Sequence, residues 1–218
     1  QAMMCGQALL VRSGGSVIRV MNGQMATIRR DGASCLFVYG QKLIELTGRG
    51  VMTCDVNGEN ATTIADGSFE AASIANGVLY LGSASGYTQS GSREVLARAG
   101  VVLKFALCDG VMYMLDANAA LKEKTLSGEE SELMTGVSDF TLDAVNKTLL
   151  CVTQDGVTAF GIQTGQSERV YTGAADQAMM CGQALLVRSG GSVIRVMNGQ
   201  MATIRRDGAS CLFVYGQK

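Results

Sequence analysis

Short hydrophobic runs separated by turn-forming residues recur along the whole chain. Between residues 137 and 173, runs of about six residues rich in Val, Leu, Phe and Thr are separated by Asn146-Lys147, Asp155-Gly156 and Thr164-Gly165. Asn, Asp and Gly tolerate the positive φ angles that tight hairpin turns require. The pattern therefore predicts a four-stranded antiparallel meander in this segment. The predicted strands are 138–143, 148–153, 157–162 and 167–172.

The same arrangement of strands and turns recurs with a period of 33 to 37 residues. Glycines that end a hydrophobic run mark the period, which fits either helical repeats or short propeller blades. They are Gly32, Gly67, Gly100, Gly136, Gly173 and Gly208. Turn pairs at matching positions are Asn22-Gly23, Asp31-Gly32, Asn57-Gly58, Asp66-Gly67, Asn76-Gly77 and Asp109-Gly110. Turns this dense leave no room for long helices, so we interpret the two segments of helix-favouring composition, 93–99 and 117–126, as outer strands.

In each repeat the second hydrophobic run is the most apolar. Strands of this kind are buried on both faces. The runs are 8–11, 43–46, 78–81, 111–114 and 148–151. A single four-stranded sheet cannot bury both of its faces, whereas a ring of sheets that cover one another can. The sequence thus predicts an all-β fold, a β-propeller of four-stranded antiparallel blades.

One stretch carries a resemblance to known proteins. The segment from Asp139-Phe140-Thr141-Leu142 through residues 149–160 to Thr164-Gly165 resembles the broad β-propeller superfamily of WD40-like, YVTN-like and PQQ-like repeats. The chain has no Trp-Asp dipeptide, kelch double glycine or Asp-box. The resemblance consequently implies an architecture and a habit of binding partners on the ring faces, with no individual site residue to carry over.

Residues 1–42 recur without a change as residues 177–218. A natural duplication drifts unless it is very recent, so we interpret the repeat as engineered and keep recent natural duplication as the alternative. We expect a single propeller domain over 1–218. Its blades are expected at about 1–32, 33–67, 68–100, 101–136, 137–173 and 174–208, followed by a strand at 209–218.

The segment 68–100 departs from the pattern of the other blades. Its third strand is expected to be replaced by the Ser/Gly-rich stretch 83–92, with an outer strand at 94–98. Ser90-Gly91-Ser92 has the composition of a flexible linker. It could join the former ends of a circularly permuted parent, and the alternative is an ordinary hairpin loop.

The repeated segment leaves several ring arrangements open. A closed six-bladed ring is favoured, because a spare copy left in water would expose its apolar strand. The alternatives are a five-bladed ring with one redundant copy, and a strand-swapped oligomer. The two five-bladed arrangements bury nearly the same surface, so their free energies should differ by only a few kcal/mol.

Composition excludes several kinds of chemistry. The chain contains no His, which removes Ser-His-Asp and Cys-His nucleophile systems and His-ligated zinc. Its seven cysteines form no CxxC pair, and we expect buried, reduced thiols. We predict no catalytic residue, no metal site and no cofactor. Reduced thiols and the lack of a long apolar segment predict a cytoplasmic protein that does not contact a membrane.

Charge is distributed unevenly along the chain. Residues 1–42 carry a net charge of +4, as does their copy, whereas residues 43–176 carry −9. The basic blade could bind an acidic partner, but solvated strand edges or pairing with the acidic blades are favoured over that function, and nucleic-acid binding is not expected. Its candidate binding residues are Arg12, Arg19, Arg29 and Arg30.

The opening strands of the blades should line the central channel of the ring. Three of them carry charged residues, Glu70, Lys104 and Asp139, which form a candidate binding site at the channel mouth. A charged, solvated channel with internal ion pairs is the simpler interpretation. We expect a non-enzymatic propeller scaffold that binds a protein partner on a ring face. The alternatives are a small-molecule or carbohydrate-binding propeller and, as the weakest, an enzyme that uses the three channel residues as acid and base.

Overall fold

The chain is built from strands and turns. The computed structural model describes residues 2–29, 32, 35–39, 42–69, 71–75, 78–83, 86–89, 95–97, 102–125, 127–206, 208–209 and 212. These residues form two compact units, Gln1–Phe105 and Ala106–Lys218, and contain no helix that could cross a membrane. Every sheet is a four-stranded antiparallel meander. The predicted all-β propeller fold is confirmed.

The first unit contains three sheets. The first is β1 Ala2–Cys5, β2 Ala8–Ser13, β3 Ser16–Met21 and β4 Gln24–Arg29. The second is β5 Cys35–Tyr39, β6 Lys42–Thr47, β7 Gly50–Asp55 and β8 Thr62–Asp66. The third is β9 Ala71–Ala75, β10 Val78–Ser83, β11 Gly86–Gln89 and β12 Val95–Ala97.

The second unit contains three further sheets. The first strand of the first of these sheets begins at Val102, just before the unit boundary. The first is β13 Val102–Cys108, β14 Val111–Asp116, β15 Leu121–Thr125 and β16 Glu130–Met134. The second is β17 Val137–Asp143, β18 Thr148–Thr153, β19 Gly156–Gly161 and β20 Ser167–Thr172. The third is β21 Gln177–Cys181, β22 Ala184–Ser189, β23 Ser192–Met197 and β24 Gln200–Arg205.

Several hairpins use the predicted turn residues. At the turn between β3 and β4, Asn22 has φ of 52° and Gly23 has φ of 74°. Both angles lie in the left-handed region that a type I′ turn requires at its two central positions. Asp109 and Gly110 do the same between β13 and β14, with φ of 51° and 80°. Asn76-Gly77 and Asp31 lie outside the described residues.

The second strand of the inner sheets is buried on both faces, as predicted. In β18, the four residues from Leu149 to Val152 are at most 3 % exposed. Cys151 on one face packs with Tyr113 of the preceding sheet, and Val152 on the other face packs with Val187 of the following sheet. Adjacent sheets therefore share apolar cores, which is how neighbouring propeller blades stabilise each other.

The two copies of the repeated sequence bury opposite faces. In β2 the buried residues are Ala8 and Leu10, whose face packs on β5–β8. In β22 they are Leu185 and Val187, whose face packs on β17–β20. Among the described residues, each copy thus packs on a neighbouring sheet of its own unit through a different face.

This burial corrects the preference for a closed six-bladed ring. The sheet β21–β24 has the sequence of β1–β4, so the six sheets represent five different blades. Taken together, the two copies show the two packed faces of a single blade. The five-bladed alternative, with one redundant segment, is the interpretation that agrees with the structure.

The segment 68–100 also differs from the prediction. Its third strand is present as β11, paired with β10 from Tyr80–Gln89 to Ser83–Gly86, and is not replaced by a loop. Its outer strand, β12, lies within the predicted segment 94–98. The expected linker Ser90-Gly91-Ser92 and most of the expected strand 209–218 lie outside the described residues.

Candidate functional site

A groove lies between the sheets β17–β20 and β21–β24 of the second unit. Its volume is about 470 Å³. Hairpin turns at one end of both sheets, near Asn146, Gln183 and Asn198, contribute to its lining. In a propeller, this end of a blade belongs to one face of the ring.

The floor of the groove is formed by two rows of side chains on facing sheets. In one row Leu150 pairs with Ala159, and Ala159 pairs with Glu168. The small side chain of Ala159 leaves room between its larger neighbours. The row on the other sheet is Met180, Leu185 and Val196.

The rim of the groove is polar and charged. Asp143 accepts hydrogen bonds from the backbone N–H groups of Val145 and Asn146, at 3.2 Å each, and this fixes the turn between β17 and β18. Arg169 donates to the backbone carbonyl of Asp155 at 3.3 Å. Met197 is 37 % exposed and extends the apolar surface to the rim. An apolar floor with a polar rim is typical of a surface that binds a protein segment.

The three residues predicted at the channel mouth are not seen as one site. Lys104 lies on β13 and Asp139 on β17; both are half-buried, and each already has an interaction within the protein. Glu70 lies outside the described residues. Lys104 and Asp139 belong to different units, and the channel-mouth site stays a prediction.

Two of the arginines of the basic blade contact the next sheet. Arg29 Nε lies 3.4 Å from Oε1 of Glu45, whose side chain is only 1 % exposed. Arg19 donates a hydrogen bond to the side-chain oxygen of Asn57. Arg12 is half-buried on β2 with an interaction of its own, and Arg30 lies outside the described residues.

Glu45 also affects a neighbouring thiol. The Cys54 Sγ lies 3.9 Å from Oε1 of Glu45. Burial, and secondarily the negative charge of Glu45, raise the pKa of Cys54 to about 11. The thiol is therefore protonated at neutral pH and is a poor nucleophile. This cluster stabilises the contact between two sheets and does not form a reactive site.

A second charged cluster lies on β14–β16. Lys124 Nζ is 2.9 Å from Oε2 of Glu130, and Lys122 Nζ is 3.3 Å from Oδ2 of Asp116 and 3.5 Å from Oε1 of Glu130. These pairs join three adjacent strands. Among the described residues there is no group of His, Cys, Asp and Glu that could hold a metal ion.

Sequence reasoning missed the interblade groove. The groove depends on which side chains of two sheets face each other, and this is decided by strand register and sheet packing. The one local signal is Ala159, a small residue between Thr158 and Phe160 in β19.

Comparisons with known proteins identify the fold. No protein-family description and no curated protein matches the sequence. Among solved structures, the chain is similar to PorZ, a surface component of the type-IX secretion system of Porphyromonas gingivalis, with a TM-score of 0.70 and 13 % identity over 94 % of this chain and 32 % of PorZ. It is similar to a chain of the nidogen/laminin complex, with a TM-score of 0.64 and 14 % identity over 91 % of this chain and 93 % of the other.

A designed protein is also among the similar structures. The computationally designed Ika8 has a TM-score of 0.71 and 11 % identity, over 99 % of this chain and 77 % of Ika8. The chain thus spans about a third of PorZ and about three quarters of Ika8. At these identities the likeness concerns the fold alone, and that fold is the β-propeller.

Proposed function

We propose that the chain is a non-enzymatic β-propeller scaffold that binds a protein segment in the groove between β17–β20 and β21–β24. The observation that carries this proposal is the pair of apolar rows, Leu150-Ala159 and Met180-Leu185-Val196, under a charged rim. An extended peptide could place apolar side chains between the rows and polar groups against Glu168 and Arg169. Because the groove opens at the turn end of the sheets, its partner would approach a ring face.

An engineered origin is part of the same proposal. The unchanged 42-residue repeat supports it, as does the likeness of the fold to a designed propeller. A cytoplasmic location is likewise proposed. The free thiols of Cys5, Cys54, Cys108, Cys151 and Cys181 support it, because reduced cysteines persist in a reducing compartment.

A small molecule is the second candidate for the groove. Its volume of about 470 Å³ lies within the range usual for small-ligand pockets, roughly 300–1,000 Å³. The lining is mostly aliphatic, with a few charged groups that could orient a ligand. Peptide and small molecule would occupy the same rows of side chains.

The repeated sequence offers a matched control for the test. Met197 lines the groove, and Met21 is the same residue in the other copy, on the sheet β1–β4 of the first unit. Peptides are selected against the wild-type chain from a phage-displayed random 12-residue library. Their affinities are then measured by fluorescence anisotropy for wild type, Met197→Glu and Met21→Glu.

We expect Met197→Glu to weaken binding about tenfold or more, because a carboxylate would be desolvated in the groove, and Met21→Glu to change it little. Equal effects of the two substitutions, or selection of no peptide, would contradict the peptide proposal. If peptides fail but a fragment library gives ligands that Met197→Glu weakens and Met21→Glu does not, the groove is a small-molecule site.

A further inference from the structure

The first copy of the repeated sequence shows how this blade recognises the sheet β5–β8. At the centre of the contact, Leu10 and Val17 are fully buried together with Leu36 and Leu43. Ile28 packs at the edge of the same cluster. Burial of this apolar surface supplies the main attraction between the two sheets.

Polar groups and a close backbone approach make the contact specific. Arg29 pairs with the buried Glu45 at 3.4 Å, and Arg19 donates to Asn57. The turn at Gly58 lies directly on β4, since a Cβ atom at Gly58 would be 2.6 Å from the carbonyl oxygen of Ile28. The sheet β5–β8 thus presents an acidic residue, an amide and a glycine where the basic blade offers two arginines and its backbone.

In the second copy the same face is less covered, although Val193, the equivalent of Val17, is still buried at 7 % exposure. Ile204, the equivalent of Ile28, is 55 % exposed. Leu186 is half-buried, whereas its equivalent Leu10 is fully buried. The equivalents of Arg19 and Arg29, which are Arg195 and Arg205, are exposed. This sheet packs on β17–β20 through the opposite face. Leu212, the equivalent of Leu36, is bound to β21 by two hydrogen bonds with the Gln177 side chain.

We propose that this face of β21–β24 is a docking surface for the sheet β5–β8 of a second copy of the chain. The occupant follows from the molecule itself, because the identical sequence already binds β5–β8 through this face in the first unit. Docking would displace the sheet β1–β4 of that second molecule from its own β5–β8, as in a domain swap. The inference does not depend on the proposed peptide groove, whose apolar row Met180, Leu185 and Val196 lies on the opposite face of the sheet.

The energetics of the exchange make it easy to bias. Each exchange breaks the contact between β1–β4 and β5–β8 within one molecule and forms a contact between β21–β24 and β5–β8 of two molecules. Because the two contacts have the same sequence, the balance between monomer and assembly depends on the protein concentration and on substitutions that change only one of the repeated segments. Weakening the first copy should therefore favour association, and weakening both copies should abolish it. Only a duplicated sequence allows this comparison.

The test uses sedimentation velocity of the full chain over a concentration series. Leu10→Lys places a charge in the contact between β1–β4 and β5–β8 and leaves Leu186 intact. We expect this variant to form dimers or larger assemblies at a concentration about tenfold or more below that of wild type. The double variant Leu10→Lys/Leu186→Lys should stay monomeric, and Leu9→Lys, on the other face of β2, should behave like wild type.

A second pair leaves the leucines of the contact intact. Arg29→Glu replaces the partner of the buried Glu45 by a like charge, which weakens the contact of the first copy, whereas Arg205→Glu makes the same change at the exposed equivalent position of the second copy. Arg29→Glu should promote association and Arg205→Glu should reduce it, with circular dichroism confirming that both are folded. The proposal is overturned if folded Arg29→Glu stays monomeric at every concentration, or if Leu10→Lys and the double variant associate equally.

Discussion

At the scale of single residues, the repeated segment separates side-chain identity from environment. Leu10 and Leu186 have the same neighbours in sequence and the same strand position, yet Leu10 is fully buried and Leu186 is half-buried. Leu185 and Leu9 show the reverse, since Leu185 is 5 % exposed and Leu9 is half-buried. What these residues contribute to stability is therefore decided by the adjacent sheet.

The leucine pairs give a stability prediction. Leu10→Ala should lower the free energy of unfolding by about 2–4 kcal/mol, because it removes apolar contact and leaves a cavity in a closed core. Leu186→Ala should cost only about 1 kcal/mol or less, because solvent and half-exposed neighbours fill the space. Urea unfolding at low micromolar concentration measures both. For the other pair the order should be reversed: Leu185→Ala should lower the free energy of unfolding more than Leu9→Ala. An equal loss of stability within either pair would contradict the described packing.

At the scale of an element, β15 shows how cross-strand charges determine secondary structure. Its sequence, Leu-Lys-Glu-Lys-Thr, is rich in helix-forming residues, but the segment is a strand. Lys124 lies directly opposite Glu130 in the strand pairing, and Ser131 donates to Glu123 at 2.8 Å. These contacts exist only when β15 pairs with β16. Interpreting 117–126 as an outer strand was correct in type, although its first residues form the turn.

The carboxylates of this cluster predict a dependence of stability on pH. Burial by itself would raise the pKa of Asp116, but hydrogen bonds from the backbone of Ala120 and Asn118 and the Lys122 ammonium outweigh it and lower the pKa. The hydrogen bond from Lys124, together with the charges of Lys124 and Lys122, outweighs burial and lowers the pKa of Glu130. A carboxyl group with a lowered pKa in the folded state stabilises the protein above its ordinary pKa and loses that contribution as the pH falls.

Stability should therefore be constant near neutral pH and decrease as the pH falls through the ordinary values of 3.8 for Asp116 and 4.5 for Glu130. Urea unfolding between about pH 6 and pH 2.5 covers this range. Glu130→Gln should make the decrease shallower. Glu132→Gln, a change at an exposed glutamate on the same strand, should not, and a decrease unaffected by Glu130→Gln would argue against the ion pairs.

At the scale of the whole molecule, local sequence predicted the strands well and the packing between sheets less well. The predicted strands 148–153 and 167–172 agree with β18 and β20, because hydrophobic runs and turn residues act locally. The strand β11 was missed because Gly86-Tyr87-Thr88-Gln89 lies in a Ser/Gly-rich stretch that looks like a loop. The groove between β17–β20 and β21–β24 depends on residues of different sheets, such as Ala159 and Val196, whose proximity no local pattern encodes.

The preference for a closed six-bladed ring failed for a related reason. It assumed that a copy left out of the ring would expose its apolar strand to water. Within its own unit, the first copy packs on the sheet that follows it, and the second copy packs through its other face on the sheet that precedes it. Identical sequences cannot reveal this difference, because it arises from position along the chain.

The cysteines of the two copies report this difference in solution. Cys5 is 7 % exposed, and burial raises the pKa of its thiol, whereas Cys181 is more exposed. A higher pKa leaves less reactive thiolate at a given pH. Iodoacetamide at neutral pH should therefore modify Cys181 about tenfold or more faster than Cys5.

Trypsin makes the two cysteines separable by mass. Cleavage after Arg12, Arg169 and Arg188 releases the peptides 1–12 and 170–188, each with one cysteine in the same local sequence. In urea the two rates should become equal, because the local sequences are identical. Equal rates in the native protein would instead mean that the copies exchange places on β5–β8 faster than labelling, and the buried blade would then be defined by its sequence and not by its position in the chain.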